Sequence, residues 1–213
     1  NLRQTGAADA GQATLPTGLQ VGLGSRVAAS TRNFAQGGLQ QSSSDLDIAI
    51  KGQGFFQVQL PDGTTGYTRD GAFQLDANGQ LVTSAGHAVQ PGITIPVNAQ
   101  KVSIAQDGTV SVTVPGQATP QAVGQIQLAS FINPAGLDPR GGNLYAESNS
   151  SGAPQAAAPG TNGLGSLQQG MVEGSNVNVV EELVAMIATQ RAYELNSKAI
   201  TTSDQMLQRL AQL

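Results

Sequence analysis

Few residues in this chain have the type and setting for chemistry. Asp45, Asp47, Asp62, Asp70 and Asp76 offer carboxylates, and two of these across a glycosidic bond would be the pair that sugar hydrolysis needs. Most of them stand in turns or beside glycine, where an aspartate ordinarily accepts hydrogen bonds from the backbone just ahead of it. The chain has no Trp, 3 Tyr and one His, so it lacks both stacking subsites and a histidine-based acid–base set. That histidine, His87, stands between Gly86 and an alternating run, which places it at a surface or a sheet rim and excludes a multi-histidine zinc site.

Two glycine-bearing stretches imitate ligand motifs. GQGFFQ (52–57) starts like a dinucleotide fingerprint but lacks the third glycine, and its Phe pair continues into a strand instead of a helix. The pattern predicts a bulge or close backbone approach ahead of a core strand. DANG (76–79) spaces two oxygen ligands as a calcium loop does, yet the twelfth position from Asp76 is His87, not Glu, and the glycine comes two places early. A hairpin turn accounts for it. Arg69, directly before Asp70-Gly71, is expected to pair locally on its hairpin. No catalytic residue, cofactor site or metal site is assigned.

The elements that carry these residues are punctuated by turns. Residues 1–44 read as extended, with Gly6, Gly11, Gly18, Gly22 and Gly24 breaking any helical period and Leu19, Val21 and Leu23 alternating. From Asp45 to Ile132 the pattern is an antiparallel β domain. Ile48 and Ile50 alternate, FFQVQL follows, and Pro61-Asp62-Gly63, Asp70-Gly71, Asn78-Gly79 and Asp107-Gly108 mark turns. VSI (102–104) and TVSVTV (109–114) form an expected pair, and GQIQLASF (124–131) a further single strand. Residues 133–175 are expected to be a return linker or stalk with little regular structure.

From Asn178 onward there is neither Gly nor Pro up to Gln212, so about 35 residues can run as one helix of roughly 50 Å. Asn178 is placed to cap it, with Glu181 three positions on and Glu181 and Glu182 at the positive end of the dipole. An apolar stripe through Val180, Leu183, Val184, Ile187, Ala188, Leu195, Ala199, Met206, Leu210 and Leu213 calls for a partner helix, making residues 176–213 an assembly helix. The expected fold class is therefore mainly β with a long C-terminal α-helix, the β domain carried on an extended, discontinuous stalk.

Composition supports a surface that faces neighbours. Charged residues are 11% of the chain, less than half the roughly 25% of soluble domains. Ten basic against 14 acidic residues give no basic stripe for nucleic acid. No stretch is long and apolar enough to cross a membrane, and Cys is absent, which excludes disulfides and thiolate chemistry. The start, NLRQTGAADAGQ, lacks an initiator Met and a signal-peptide pattern, so it is expected to lie inside a longer gene product.

Ile50 to Pro91, IKGQGFFQVQLPDGTTGYTRDGAFQLDANGQLVTSAGHAVQP, resembles the β-domain signature of the bacterial flagellar rod and hook axial proteins, and Ser150 to Leu210 resembles their C-terminal segment. TLPTGLQVGLGSRVAAS (14–30) is similar to the extended insertion that marks the distal-rod branch. The resemblance implies a structural protein without catalysis or cofactor. Many copies would assemble helically into a rigid hollow shaft that crosses the periplasm to the outer membrane and transmits torque. Implied partners are further copies, other rod proteins and the hook protein end to end, and the surrounding outer-membrane and peptidoglycan ring proteins. Family members begin with a helix that pairs with the last one, and that helix is expected to precede Asn1. Residues 1–44, with Leu15, Leu19, Val21 and Leu23, are expected to reach across to adjacent subunits. The rivals are a proximal rod or hook sibling, disfavoured for the hook because only one modest β domain fits here, and an exported glycan- or peptidoglycan-binding module, disfavoured by the scarcity of aromatics.

Overall fold

The structure, a computed structural model, describes residues 31–117 and 119–210, with the side chains of Leu207 and Leu210 outside that description. The chain divides into Asn1–Arg32 and Asn33–Leu213, and the elements that follow lie in the second unit.

Short alternating runs broken by glycine make short strands. In chain order they are β1 (Leu39–Gln41), β2 (Ile48–Lys51), β3 (Phe55–Gln59), β4 (Thr65–Thr68), β5 (Phe73–Leu75), β6 (Leu81–Thr83), β7 (Val89–Gln90), β8 (Lys101–Ile104), β9 (Thr109–Thr113), β10 (Gln121–Gln125) and β11 (Leu128–Ser130). A 3-10 turn at Pro134–Gly136 leads to β12 (Asp138–Gly141), β13 (Leu144–Ala146), β14 (Gln155–Ala157), β15 (Ser166–Gln169) and β16 (Met171–Glu173), and the chain ends in α1 (Val179–Leu210). All the strand pairings are antiparallel. The fold is mainly antiparallel β with a single C-terminal helix among the described residues.

β3 is the axis of the main sheet. One edge pairs with β4 from Phe56 opposite Thr68 to Gln59 opposite Thr65, and the other edge is shared, β11 taking Phe55 and Phe56 and β7 taking Gln57 and Val58. Because side chains alternate across a strand, its two faces enter different cores. Phe56 and Val58 join Ile48, Ile50, Val110, Leu128 and Leu167 in the larger one. Phe55 joins Tyr67, Ala129, Phe131 and Leu137 in the smaller, with Phe34 and Tyr145 packed against it. Its rings meet edge to face, Tyr67 and Phe131 with centroids 4.7 Å apart and Phe34 and Tyr145 5.4 Å apart, a geometry worth about 0.5–1.5 kcal/mol per pair beyond area.

The expected pair of VSI with TVSVTV is present as β8 and β9, with Val102 opposite Val112. The single strand expected over 124–131 is instead two. β10 pairs with β9, whereas β11 belongs to the main sheet. Between them the Ile126 amide donates to the Gly108 carbonyl at 2.8 Å and its side chain is fully buried, so the chain changes sheets while staying apolar.

The segment 133–175, expected to have little regular structure, carries five strands. β13 extends the main sheet beyond β4, and β14 extends it beyond β11. β15 pairs with β2, Gln169 opposite Ile48 to Ser166 opposite Lys51, and β16 pairs with β1. β12 pairs locally with β13, and partners elsewhere in the chain supply the pairing of the other four short strands. The approach to the main sheet and the return from it therefore run side by side as two ladders.

The turn aspartates do what their setting predicts. Asp62 accepts from the Thr64 hydroxyl and amide at 2.6 and 2.9 Å, Asp76 from the Asn78 and Gln80 amides at 2.8 Å each, and Asp107 from the Thr109 amide at 3.0 Å. These bonds favour the ionised form and hold each carboxyl below 3.8, led by the Thr64 hydroxyl at Asp62, the Gln80 amide at Asp76 and the Thr109 amide at Asp107. With the folded value depressed, the stabilisation is complete above pH 3.8 and disappears as pH falls through the folded value. Protection of the Thr64, Gln80 and Thr109 amides, taken relative to the intrinsic exchange rate at each pH, is expected to fall on acidification below that point before the core opens. Unchanged protection there down to global acid unfolding would contradict the assignment.

Candidate functional site

The chain's candidate for function is α1. Its start is capped as expected: the Asn178 Oδ1 accepts from the Val180 amide at 3.2 Å, and the Glu182 amide closes the first turn on the Asn178 carbonyl at 3.1 Å. Glu181 and Glu182 lie in the first turn and Arg209 in the last, each matching the dipole. The helix has 32 residues, about 48 Å. Every described position from Val179 to Met206 is exposed. An isolated helix with apolar residues in water owes little to packing.

The predicted interface residues divide into two sets. Val180, Leu183, Val184 and Ile187, 50–70% exposed, share one side of the first turns. Leu195, Ala199 and Met206 lie roughly 90° further round the axis, reckoned at 3.6 residues per turn. Ala188 links the two sets. The one stripe read from the sequence is thus a patch followed by a seam. Leu210 closes α1 with its side chain outside the described residues, and Leu213, Leu15, Leu19, Val21 and Leu23 lie outside them altogether.

A third side was missed. Val179, Met186, Tyr193 and Ile200 recur every seventh residue and are 56–77% exposed. Counting by seven instead of following steps of three and four would have found them.

Where the strands end and the helix approach begins, an ion pair ties four segments together. Arg69, at the end of β4, is not paired on its own hairpin, which corrects the local pairing expected for it. Its Nε donates to Glu173 Oε2 of β16 at 2.9 Å, and its Nη1 donates to the Gly52 and Gly54 carbonyls at 3.0 Å each. The other Glu173 oxygen accepts from the Gly37 amide at 2.9 Å. Both side chains are largely buried, 17% and 12% exposed. Sequence separation hid the contact, since the partners are 104 positions apart.

The neighbouring residues have structural duties too. The buried Thr68 hydroxyl accepts from the Asp70 amide at 3.0 Å. At Gly71 a Cβ would sit 1.7 Å from the Ile48 carbonyl oxygen, so no side chain fits. Gly52 and Gly54 take φ of 116° and 131°, and a Cβ on Gly52 would lie 2.9 Å from Gly165 Cα, the close approach that GQGFFQ predicted. His87 works through its backbone, its carbonyl accepting from the Thr83 amide at 2.9 Å. Beside Arg69 lies an open cleft of about 600 Å³, lined in part by Phe34, Asp70, Asn143 and Tyr145.

Comparison with known proteins agrees with this layout. Residues 49–112 match the family described as flagellar hook protein FlgE/F/G D1 domain, and residues 168–213 match flagellar basal body rod FlgEFG protein C-terminal. The chain is 55% identical over 212 residues to the flagellar basal-body rod protein FlgG of Buchnera aphidicola subsp. Schizaphis graminum, covering 100% of this chain and 82% of the relative. It is 50% identical to the protein of the same name from Caulobacter vibrioides over 199 residues, 93% of this chain and 76% of the relative. It is 36% identical to the flagellar basal-body rod protein FlgF of Escherichia coli over 208 residues, 92% of this chain and 80% of the relative. With an identity above one half along its whole length, and with strand domain and helix matched in order, the chain belongs to the flagellar basal-body rod protein family.

Proposed function

We propose that this rod protein is a non-catalytic structural subunit of the distal rod, polymerising helically into a hollow shaft that carries torque from motor to hook. The observation that carries this reading is α1, a 32-residue helix that ends a well-packed β fold and is exposed at every described position. Burying Val180, Leu183, Val184, Ile187, Leu195 and Met206 between copies would contribute about 1.5–3 kcal/mol for each side chain before ordering costs. Contacts between unlike faces repeat without closing, which is how one chain builds a filament.

The distal position is favoured over that of the other rod relative by the identities, 55% to a FlgG against 36% to a FlgF. Partners follow from that position: copies of itself, other rod proteins and the hook protein at the ends, and ring proteins around the outside, in the basal body between periplasm and outer membrane. Among the described residues no helix is long and apolar enough to cross a membrane.

Electron microscopy of concentrated full-length protein is expected to show helical filaments of uniform diameter. Persistent monomers that bind a glycan would contradict the proposal.

A further inference from the structure

Asparagine is chemically labile where the next residue has a small side chain and a free backbone nitrogen, because that nitrogen can attack the side-chain amide. Among the described residues, Asn78 and Asn162 precede glycine, Asn149 and Asn196 precede serine, and Asn98 precedes alanine. At all but Asn162 the fold occupies the nitrogen that would attack. The Gly79 amide donates to the Asp76 carbonyl at 3.0 Å, the Ala99 amide to the Pro96 carbonyl at 2.9 Å and the Ser150 amide to the Ser148 hydroxyl at 3.0 Å. Ser197 lies inside α1, where each amide is bonded four residues back.

Asn162 and Gly163 form the centre of a type I′ turn. Their φ angles are 51° and 78°, and the Leu164 amide donates to the Thr161 carbonyl at 2.8 Å. The bond that closes such a turn belongs to its fourth residue, so the amide of the third, here Gly163, takes no part in it. That amide has no backbone partner among the described residues, and both turn residues are exposed. Nothing lies within 4 Å of the place where Gly163 would carry a Cβ, and glycine has the backbone freedom to swing its nitrogen towards Cγ. The other Asn-Gly pair is held on both sides. The Asn78 side chain donates to Asp76 Oδ2 at 3.3 Å, and a Cβ on Gly79 would stand 2.3 Å from the Ile95 carbonyl oxygen.

We propose that Asn162 is a site of spontaneous covalent modification, converting to isoaspartate and aspartate in the folded chain ahead of every other described asparagine. The Gly163 nitrogen bonds to Asn162 Cγ and gives up its proton, the Cγ–Nδ2 bond breaks, and Nδ2 leaves as ammonia, closing a five-membered succinimide. One water then opens the ring. Opening at Cγ yields aspartate, and opening at the backbone carbonyl leaves the chain running through Cγ as isoaspartate. Either product adds a negative charge to the turn. Isoaspartate also lengthens a two-residue turn by one backbone atom. It does so immediately ahead of Leu164, which is 6% exposed, and of the Gly165 amide that donates to the Gln53 carbonyl at 2.7 Å.

Peptide mass spectrometry tests the proposal on the full-length protein held folded at mildly alkaline pH, which favours the deprotonated nitrogen, with digestion in acid to halt the reaction. The Asn162 peptide is expected to gain the mass of an amide-to-acid exchange about tenfold faster than the Asn78 peptide. That factor corresponds to about 1.4 kcal/mol of hydrogen bonding that the Asn78 turn must first give up. In denaturant the two Asn-Gly peptides should convert at similar rates, which assigns the contrast to the fold. Asn162→Gln should remove most of the isoaspartate counted by an isoaspartyl methyltransferase, because the longer side chain would have to close a six-membered ring. Another described asparagine converting as fast as Asn162 in the folded chain would overturn the proposal. So would an Asn162 that stays intact while the denatured chain converts, or isoaspartate undiminished by Asn162→Gln.

Discussion

Placing glutamate at Ile187 or at Leu195 is expected to abolish polymerisation while the β fold stays intact. Both side chains are exposed in the single chain, 50% and 68%, so a carboxylate there meets water and costs the monomer little. In a polymer assembled through α1 as proposed, the same position would be enclosed by apolar neighbours, and an unpaired charge there would cost several kcal/mol. At about 1.4 kcal/mol per decade, a penalty near 4 kcal/mol weakens each contact roughly a thousandfold. The effect multiplies along a filament in which every copy carries the lesion. Sedimentation separates polymer from monomer, and the dispersion of the β-domain resonances reports folding. Normal filaments from Ile187→Glu would remove the helix from the assembly mechanism.

The second large effect is expected at the joint. Glu173→Gln removes the charge facing Arg69 and weakens the acceptor for the Gly37 amide, in a site where both side chains are mostly shielded from water. Removing one member of such a pair strands the other, and a loss of about 3 kcal/mol is expected. For a chain of this size that lowers Tm by roughly 6–12 °C. Arg69→Met should cost a similar amount and also free the Gly52 and Gly54 carbonyls. The double variant Arg69→Met with Glu173→Gln should lose much less than the sum, because the two groups act together. Thermal unfolding of all three variants tests this. Additive losses, or a change below about 0.5 kcal/mol for either single variant, would show that the pair does not hold the four segments.

The sequence revealed what depends on local pattern. Alternation and turn chemistry marked β2, β3, β8 and β9, and the turn roles of Asp62, Asp76 and Asp107 followed from the backbone amides beside them. The capped, glycine-free run beginning at Asn178 marked α1. What depends on distant partners stayed hidden. β13 to β16 have no strong alternation of their own and exist because β4, β11, β2 and β1 offer them edges, while β12 pairs with its neighbour β13. Arg69 was assigned to its own hairpin because nothing near it in sequence points to Glu173. On α1 the steps of three and four led along one apparent stripe and passed over the heptad of Met186, Tyr193 and Ile200.

The resemblance of the YTRDG stretch to the rod and hook proteins also has a physical content. Tyr67 closes the aromatic cluster, Thr68 and Asp70 shape the turn, Arg69 reaches Glu173 and Gly71 leaves room for the Ile48 carbonyl. Each of the five positions is set by a contact in the fold, so the motif secures the joint that connects the sheet to the helix.

Hydrogen exchange along α1, compared between monomer and assembled rod, tests the central claim that this helix is the assembly element. The exposed helix of the single chain should exchange rapidly from Val179 to Leu210. In the rod the same amides should slow by at least roughly a hundredfold, about 2.7 kcal/mol of added protection at 1.36 kcal/mol per decade, while β3 and β9 remain protected in both. Equal exchange of α1 in monomer and rod, with slowing confined to the strands, would contradict it.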